Sequence, residues 1–104
     1  MTGESEPGTT DGAFVAKGES WTYTGSLLFA GAAAVLEATH ALPLPESGVV
    51  DLAGLSQADS AALAVLLALK RRAATERRTL AFTSMPPALD SLARVYGIDD
   101  LLAS

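Results

Sequence analysis

The sequence lacks cysteine entirely and contains one histidine, His40, among its 104 residues. Disulfides, thiol catalysis and cysteine-based metal sites are therefore excluded. His40 has no second ligand-type residue at metal spacing beside it, and neither a glycine-rich phosphate loop nor a Gly-x-Ser-x-Gly nucleophile turn occurs. Because these constellations are missing, we expect a protein that is not an enzyme and that uses no metal and no cofactor.

Long apolar runs and an excess of basic charge are also lacking. The longest uninterrupted apolar run lies within residues 61–69, well short of the roughly 20 residues that a membrane span needs. The N-terminus is acidic and polar, unlike a signal peptide. The formal net charge of −5 argues against nucleic acid as a partner. These features predict a soluble cytoplasmic protein without a membrane span.

Aliphatic side chains are abundant instead. Hydrophobic residues make up 49% of the chain and aromatic residues 6%, which predicts a single core built from Leu, Val and Ala. Residues 1–12 consist mostly of Gly, Ser, Thr, Glu and Pro, with no apolar residue after Met1. We therefore predict a disordered leader over residues 1–12 and one folded domain over residues 13–104.

Hydrophobic periodicity and chain-breaking residues predict alternating strands and helices. A hairpin turns at Gly18, Gly25 ends its second strand, and Ser26 is placed to cap the first helix. The predicted elements are strands 13–17 and 20–24, helix 27–41, strand 49–52, helix 60–76, strand 77–83 and a third helix. The order β-β-α-β-α-β-α implies an α/β fold with one mixed sheet covered by helices on one face.

The third helix is marked at both of its ends. Ser84 is expected to be its N-cap, Pro86 and Pro87 suit its first turn, and Gly97 is placed to stop it. Residues 98–102 are then expected to form a final apolar turn, because Ile, Leu and Leu recur there around two aspartates.

Residues 48–70 form the stretch around which the chain is organised. A short buried strand leads through a loop to a helix whose first two and a half turns carry almost no polar side chain. Asp59 and Ser60 stand at the start of this helix, where a side chain is expected to accept a bond from an orphan backbone N–H. The Ser60 hydroxyl lies at the positive end of the helix dipole, so it is either a cap or a place where a phosphate is held.

This central helix has two apolar faces, at about 100° of rotation per residue. The broad face, predicted to lie on the sheet, consists of Ala62, Leu63, Val65, Leu66, Leu67 and Leu69. The other side holds an alanine strip, which consists of Ala61, Ala64 and Ala68 in line with Ser60, with Arg71 and Arg72 beyond. Such a strip suits the close approach of another surface, although alanine is also the best helix former.

Five of the seven basic residues lie within nine positions, 70–78, at the end of this helix. Basic side chains at a helix C-terminus are favoured by the negative pole of the helix dipole. The cluster is expected to be a solvated helix end, or else to meet an acidic protein partner or a lipid headgroup surface.

Residues 49–66, Val-Val-Asp-Leu-Ala-Gly-Leu-Ser-Gln-Ala-Asp-Ser-Ala-Ala-Leu-Ala-Val-Leu, resemble the signature of STAS domains (sulfate transporter and anti-sigma factor antagonist). In that signature a buried strand ends in Asp-Leu/Phe, and a loop leads to Asp-Ser/Thr-x-Gly-Leu at the head of a helix. Within the superfamily the chain resembles MlaB-like subunits through Thr24-Gly-Ser-Leu-Leu and Ser91-Leu-Ala-Arg-Val-Tyr-Gly-Ile. The resemblance spans about residues 14–102.

The resemblance implies a STAS-like fold and a non-catalytic cytoplasmic subunit. Such a subunit binds and supports the ATPase subunit of a Mla-type lipid-transport ABC transporter that maintains outer-membrane lipid asymmetry, and it is peripheral to the inner membrane through that partner. Ser60 matches the residue that MlaB-like proteins need for docking on their ATPase. The same residue is phosphorylated in anti-sigma factor antagonists, so the alternative is an antagonist switched by a partner kinase at Ser60.

The resemblance also places site residues on this sequence. Asp59 matches the aspartate before the signature Ser/Thr. Ala62 stands where the signature usually has glycine, and its Cβ is expected to crowd a kinase or phosphate that approaches Ser60. The predicted partner-binding surface consists of Asp59, Ser60, Ala61, Ala64, Ala68, Arg71 and Arg72.

Overall fold

The computed structural model describes residues 12–103. The predicted leader, residues 1–12, lies outside the described residues except for Gly12. The elements are β1 (Ala13–Lys17), β2 (Ser20–Leu27), α1 (Phe29–Thr39), β3 (Val49–Ala58), α2 (Ser60–Thr75), β4 (Ala81–Thr83), α3 (Pro87–Val95) and α4 (Asp99–Ala103). This order confirms the predicted alternation, and α4 is the predicted final apolar turn.

The strands form one mixed sheet in the order β1-β2-β3-β4. β1 and β2 are antiparallel and are joined by a two-residue turn, with Lys17 opposite Ser20. Gly18 opens that turn with φ of 61°, a conformation that glycine adopts without steric cost. β2, β3 and β4 run parallel to one another. Parallel neighbours need a crossover connection, and α1 and α2 supply the two crossovers.

The core lies on one face of the sheet. Along β2, Trp21 and Tyr23 are buried while the threonines beside them are not. Along β3, Val50 and Leu52 are fully buried and Asp51 between them is only half-buried. Because successive side chains of a strand point to opposite faces, this alternation shows that the helices cover a single face.

The helix α2 is the centre of the helical layer, since it packs against α1, α3 and α4. Its broad apolar face is oriented as predicted: Leu67 is half-buried, and the other five members of that face are buried. Burying a Leu or Val side chain stabilises a fold by about 1.5–3 kcal/mol, so this face fixes how α2 is turned.

The prediction that Gly25 ends a strand and Ser26 caps α1 is wrong. β2 continues through both residues to Leu27, with Gly25 at φ of 99° and a shift in its pairing with β3 between Gly25 and Ser26. The N-cap of α1 is Leu28, whose side chain makes no capping bond. The strand persists because β3 offers backbone partners on both sides of the register shift, with Gly25 opposite Leu55 and Ser26 opposite Gln57.

β3 is likewise longer than predicted, since it runs to Ala58 and includes the segment around Gly54 that was expected to be a loop. The N-cap of α3 is Pro86 with no capping side chain, so the prediction of Ser84 is wrong. Ser84 instead adopts φ of 58° in the turn after β4. Gly97, at φ of 72°, ends α3 as predicted.

Candidate partner-docking site

The candidate site begins where β3 passes into α2. Asp59 is the N-cap of α2, and its Oδ1 accepts a hydrogen bond from the Ala61 backbone N–H at 2.9 Å. Ser60 is the first residue of the helix and is exposed. Of the two residues expected to cap α2, the aspartate does so, because its carboxylate reaches an N–H in the first turn. The Ser60 hydroxyl is left on the surface.

The carboxylate of Asp59 also reaches a second helix. Its Oδ2 accepts a hydrogen bond from the backbone N–H of Phe29, the first residue of α1, at 3.0 Å. One side chain therefore caps the N-termini of both α1 and α2. The positive poles of both helix dipoles favour a negative group at this point. No local sequence pattern predicts this link, because the two residues are 30 positions apart.

An apolar groove of about 530 Å³ runs between α1 and α2 from this point. Its walls are formed by small and aliphatic side chains of the two helices, with Ser60 on the α2 side. The lining residues are Phe29, Ala32, Ala33, Leu36, Ser60, Ala61, Ala64 and Val65. The groove presents small side chains along both walls, so another surface can approach the two helix backbones closely.

Phe29 is the most prominent feature of the groove. Its side chain is 82% exposed, although it lies directly beside the buried stripe of α1. A large exposed aromatic next to a groove of alanines is typical of a binding anchor, since aromatic residues dominate the energetics of protein interfaces. Phe29 is not among the predicted site residues. The predicted helix starts two residues earlier than α1 does, and the helix face on which Phe29 lies was not assigned.

The predicted alanine strip faces outward in part. Ala64 is exposed, whereas Ala61 and Ala68 are half-buried. Ala61 and Ala64 line the groove, so this part of the alanine strip forms its α2 wall. Arg71, further along the helix, is exposed as predicted. Participation of these residues in binding stays a prediction.

Arg72 has a different environment from Arg71. Its guanidinium donates hydrogen bonds to the carbonyls of Thr39 at 2.9 Å and Leu42 at 2.7 Å, and to Glu76 at 3.0 Å. The two bonds to carbonyls tie the end of α1, and the segment that follows it, to α2. Arg72 therefore has a structural role that the sequence did not indicate, while its predicted contact with a partner stays a prediction.

The rest of the basic cluster is also partly engaged. Arg78 donates a hydrogen bond to the Pro45 carbonyl at 2.6 Å. Lys70 places its Nζ 5.7 Å from the centroid of the Phe82 ring, a cation–π arrangement, and burial lowers the pKa of its ammonium group. The cluster is thus not the uniformly solvated helix end that its composition suggested.

The expectation that the Cβ of Ala62 crowds the approach to Ser60 is wrong. Ala62 is fully buried, so its methyl group packs into the core. The exposed hydroxyl of Ser60 lies on the other side of the helix turn. The departure of Ala62 from the glycine of the signature therefore leaves the surface around Ser60 open.

Membrane spans and metal sites are two further features that residues 12–103 could carry. Within that range, no helix has the length and apolar character needed to cross a bilayer. In the same part of the chain, no three or more His, Asp, Glu or Cys side chains come together as a metal site would require.

Residues 22–103 match the family model described as "Mlab, STAS domain". The match covers most of the chain, and the observed order of strands and helices is that of a STAS fold. The chain therefore belongs to the STAS domain family, and within it to the MlaB-like type. No curated protein matches the sequence significantly. STAS domains are generally non-catalytic.

Proposed function

We propose that the protein is a non-catalytic subunit that binds and supports the ATPase of a Mla-type lipid-transport ABC transporter. The MlaB-like family match supports this proposal. The single observation that carries it is the open groove between α1 and α2, with the exposed Phe29 and Ser60 among its lining residues.

The groove has the composition expected of a protein interface. Phe29 provides an aromatic anchor that a pocket on the ATPase can enclose, and removing such a ring from water stabilises a complex. Ala33 and Ala64 on opposite walls permit close backbone approach. The Ser60 hydroxyl offers one polar contact that fixes the register of the partner. A surface that combines one anchor, small neighbours and one polar group suits a stable complex.

The proposed partner implies where the subunit is located and how it acts. The subunit acts in the cytoplasm and is peripheral to the inner membrane through the ATPase, in a transporter that maintains outer-membrane lipid asymmetry. The domain stabilises the ATPase by occupying a surface that would otherwise be exposed. It performs no chemistry of its own in this scheme.

Affinity purification from the native host, with partners identified by mass spectrometry, tests the proposal. We expect the wild-type protein to co-purify with an ATPase and a permease. Phe29→Ala should weaken binding of that ATPase by about 2 kcal/mol or more, the scale of an interface hot spot. Val95→Ala is the matched control, because Val95 is 78% exposed on α3 and lies outside the groove lining.

The thermal melts of both variants should resemble that of the wild type, since each removes an exposed side chain. Equal binding by Phe29→Ala and the wild type would contradict the assignment of the groove. Absence of any ATPase from the purified complex would contradict the proposed function itself.

The alternative function is that of an anti-sigma factor antagonist switched by phosphorylation of Ser60. One observation favours it: the Ser60 hydroxyl is exposed, and the buried Ala62 does not obstruct it. An antagonist should show phosphorylated and unphosphorylated pools by intact mass in its native host, and a kinase should co-purify with it. A single unmodified pool bound to an ATPase would exclude this alternative.

A further inference from the structure

We propose that Asp59 is a positioning residue for docking: its carboxylate holds the start of α1 against the start of α2 and thereby sets the groove and the place of Phe29. This inference rests on the proposed function, because it concerns the same groove. It assigns to Asp59 a task different from direct contact with the partner.

The start of α1 has no cap of its own. Leu28 occupies the N-cap position without a capping bond, and the first turn of α1 contains no acidic residue. Helix starts leave backbone N–H groups without intrahelical partners. The Phe29 N–H is such a group, and Asp59 Oδ2, supplied by the other helix, accepts its hydrogen bond.

The bond holds the backbone of the residue that carries the large exposed side chain of the groove. The Phe29 side chain is 82% exposed, so contacts with the core do little to determine its position. Its position depends on the backbone of the residue, and the Phe29 N–H is anchored to Asp59. Holding a binding residue in place before the partner arrives reduces the entropy lost on association.

The two carboxylate oxygens of Asp59 accept different hydrogen bonds. Oδ1 caps α2 through Ala61, and Oδ2 joins α2 to α1 through Phe29. Serine and asparagine are N-caps about as good as aspartate, but each offers a single accepting oxygen of this kind. Asp59→Ser and Asp59→Asn therefore keep one of the two hydrogen bonds and lose the bridge.

A matched control lies in the preceding strand. Asp51 Oδ1 accepts a hydrogen bond from the Ala53 N–H at 3.0 Å, two residues on, as Asp59 Oδ1 does from Ala61. Asp51→Asn thus makes the same chemical change in a local bond of the same spacing. Asp51 lies outside the groove lining.

The experiment measures three quantities for the wild type and the variants Asp59→Ser, Asp59→Asn and Asp51→Asn. These are amide hydrogen exchange of Phe29 and Ala61 by NMR, the melting temperature, and affinity for the ATPase that co-purifies with the wild type. In Asp59→Ser we expect Phe29 exchange to rise about tenfold and ATPase affinity to fall about tenfold, as for one hydrogen bond to a charged group. Ala61 protection should change little, and the melting temperature should fall by the few degrees that the loss of one such bond implies for a domain of this size.

Asp59→Asn provides a second route to the same conclusion should Asp59→Ser fold poorly. Faster Phe29 exchange with undiminished ATPase affinity would overturn the positioning role while leaving the proposed function intact. Unchanged Phe29 exchange in both variants would show that the bridge does not hold α1. A wild-type protein that binds no ATPase would overturn the proposed function and the docking role together. An equal loss of affinity in Asp51→Asn would also overturn the inference.

Discussion

At the C-terminal end of α2 the side chains of Arg72 and Arg78 bond to the protein's own backbone, whereas beside its N-terminal end an apolar ring on α1 is exposed to solvent. Arg72 reaches the carbonyls of Thr39 and Leu42 there. At the opposite end Phe29 stands exposed beside the groove. The sequence left open whether the basic end of α2 is solvated or meets an acidic partner or a lipid surface, and two of its arginines, Arg72 and Arg78, already bond to backbone carbonyls of the protein itself.

This difference is a physical reason to propose the groove, rather than the basic end of α2, as the docking surface. A guanidinium bonded to two carbonyls gains little from a partner, because it would have to leave bonds that it already makes. An exposed aromatic ring makes its full hydrophobic contribution to the binding free energy when a partner covers it. Substitutions at Ala64, Arg72 and Ser60 test this contrast.

Ala64→Arg should produce the largest effect. Ala64 is exposed on the groove wall, so a long side chain there would hold the ATPase away. We expect binding to weaken by about 2 kcal/mol or more, measured by pull-down and titration, with a nearly unchanged thermal melt. Ala74→Arg is the control, because Ala74 is exposed at the other end of α2. Unfolding of Ala64→Arg would mean that the strip is core, and full binding would place docking elsewhere.

Arg72→Ala should lower stability rather than binding. The variant leaves the carbonyls of Thr39 and Leu42 without their guanidinium partner, and we expect a loss of about 2 kcal/mol in the free energy of unfolding, measured by urea titration. Arg71→Ala is the control: Arg71 is exposed, and its loss should cost less than about 0.5 kcal/mol while reducing the rate and salt sensitivity of association. Equal free energies of unfolding for Arg72→Ala and Arg71→Ala would contradict the structural role assigned to Arg72.

Ser60→Ala should have the smallest effect on stability. Asp59, and not Ser60, supplies the cap of α2, and alanine is the better helix former. We therefore expect a change of less than about 0.5 kcal/mol in unfolding free energy, in place of the roughly 1 kcal/mol that a lost cap would cost. Calorimetry decides between the two values. Loss of cooperative melting would show that Ser60 is a core residue.

Much of the fold could be predicted from the sequence where local signals agree. The turn at Gly18, the stop at Gly97 and the buried face of α2 depend on residues close together in the chain, and the structure confirms each of them. The ends of β2 and β3 could not be predicted in this way. Gly25 and Gly54 are locally strand-breaking, but parallel pairing between the two strands overrides that tendency.

The candidate site was predictable in part for the same reason. The start of α2 at Asp59 and Ser60 is a local signal, and the structure confirms it. The bond from Phe29 to Asp59, and the bonds from Arg72 to Thr39 and Leu42, join residues some 30 positions apart. No sequence pattern predicts these long-range hydrogen bonds, because they depend on how α1 and α2 pack.

The strand order β1-β2-β3-β4 is also the order in which the strands leave the ribosome. Each new strand finds the strand that it must join already synthesised, and no strand has to be inserted between two that have already paired. β1 and β2 close through a two-residue turn, so the first pairing needs only local chain closure. Growth from one edge thus suits assembly during translation, in which the N-terminal part of a chain begins to fold first.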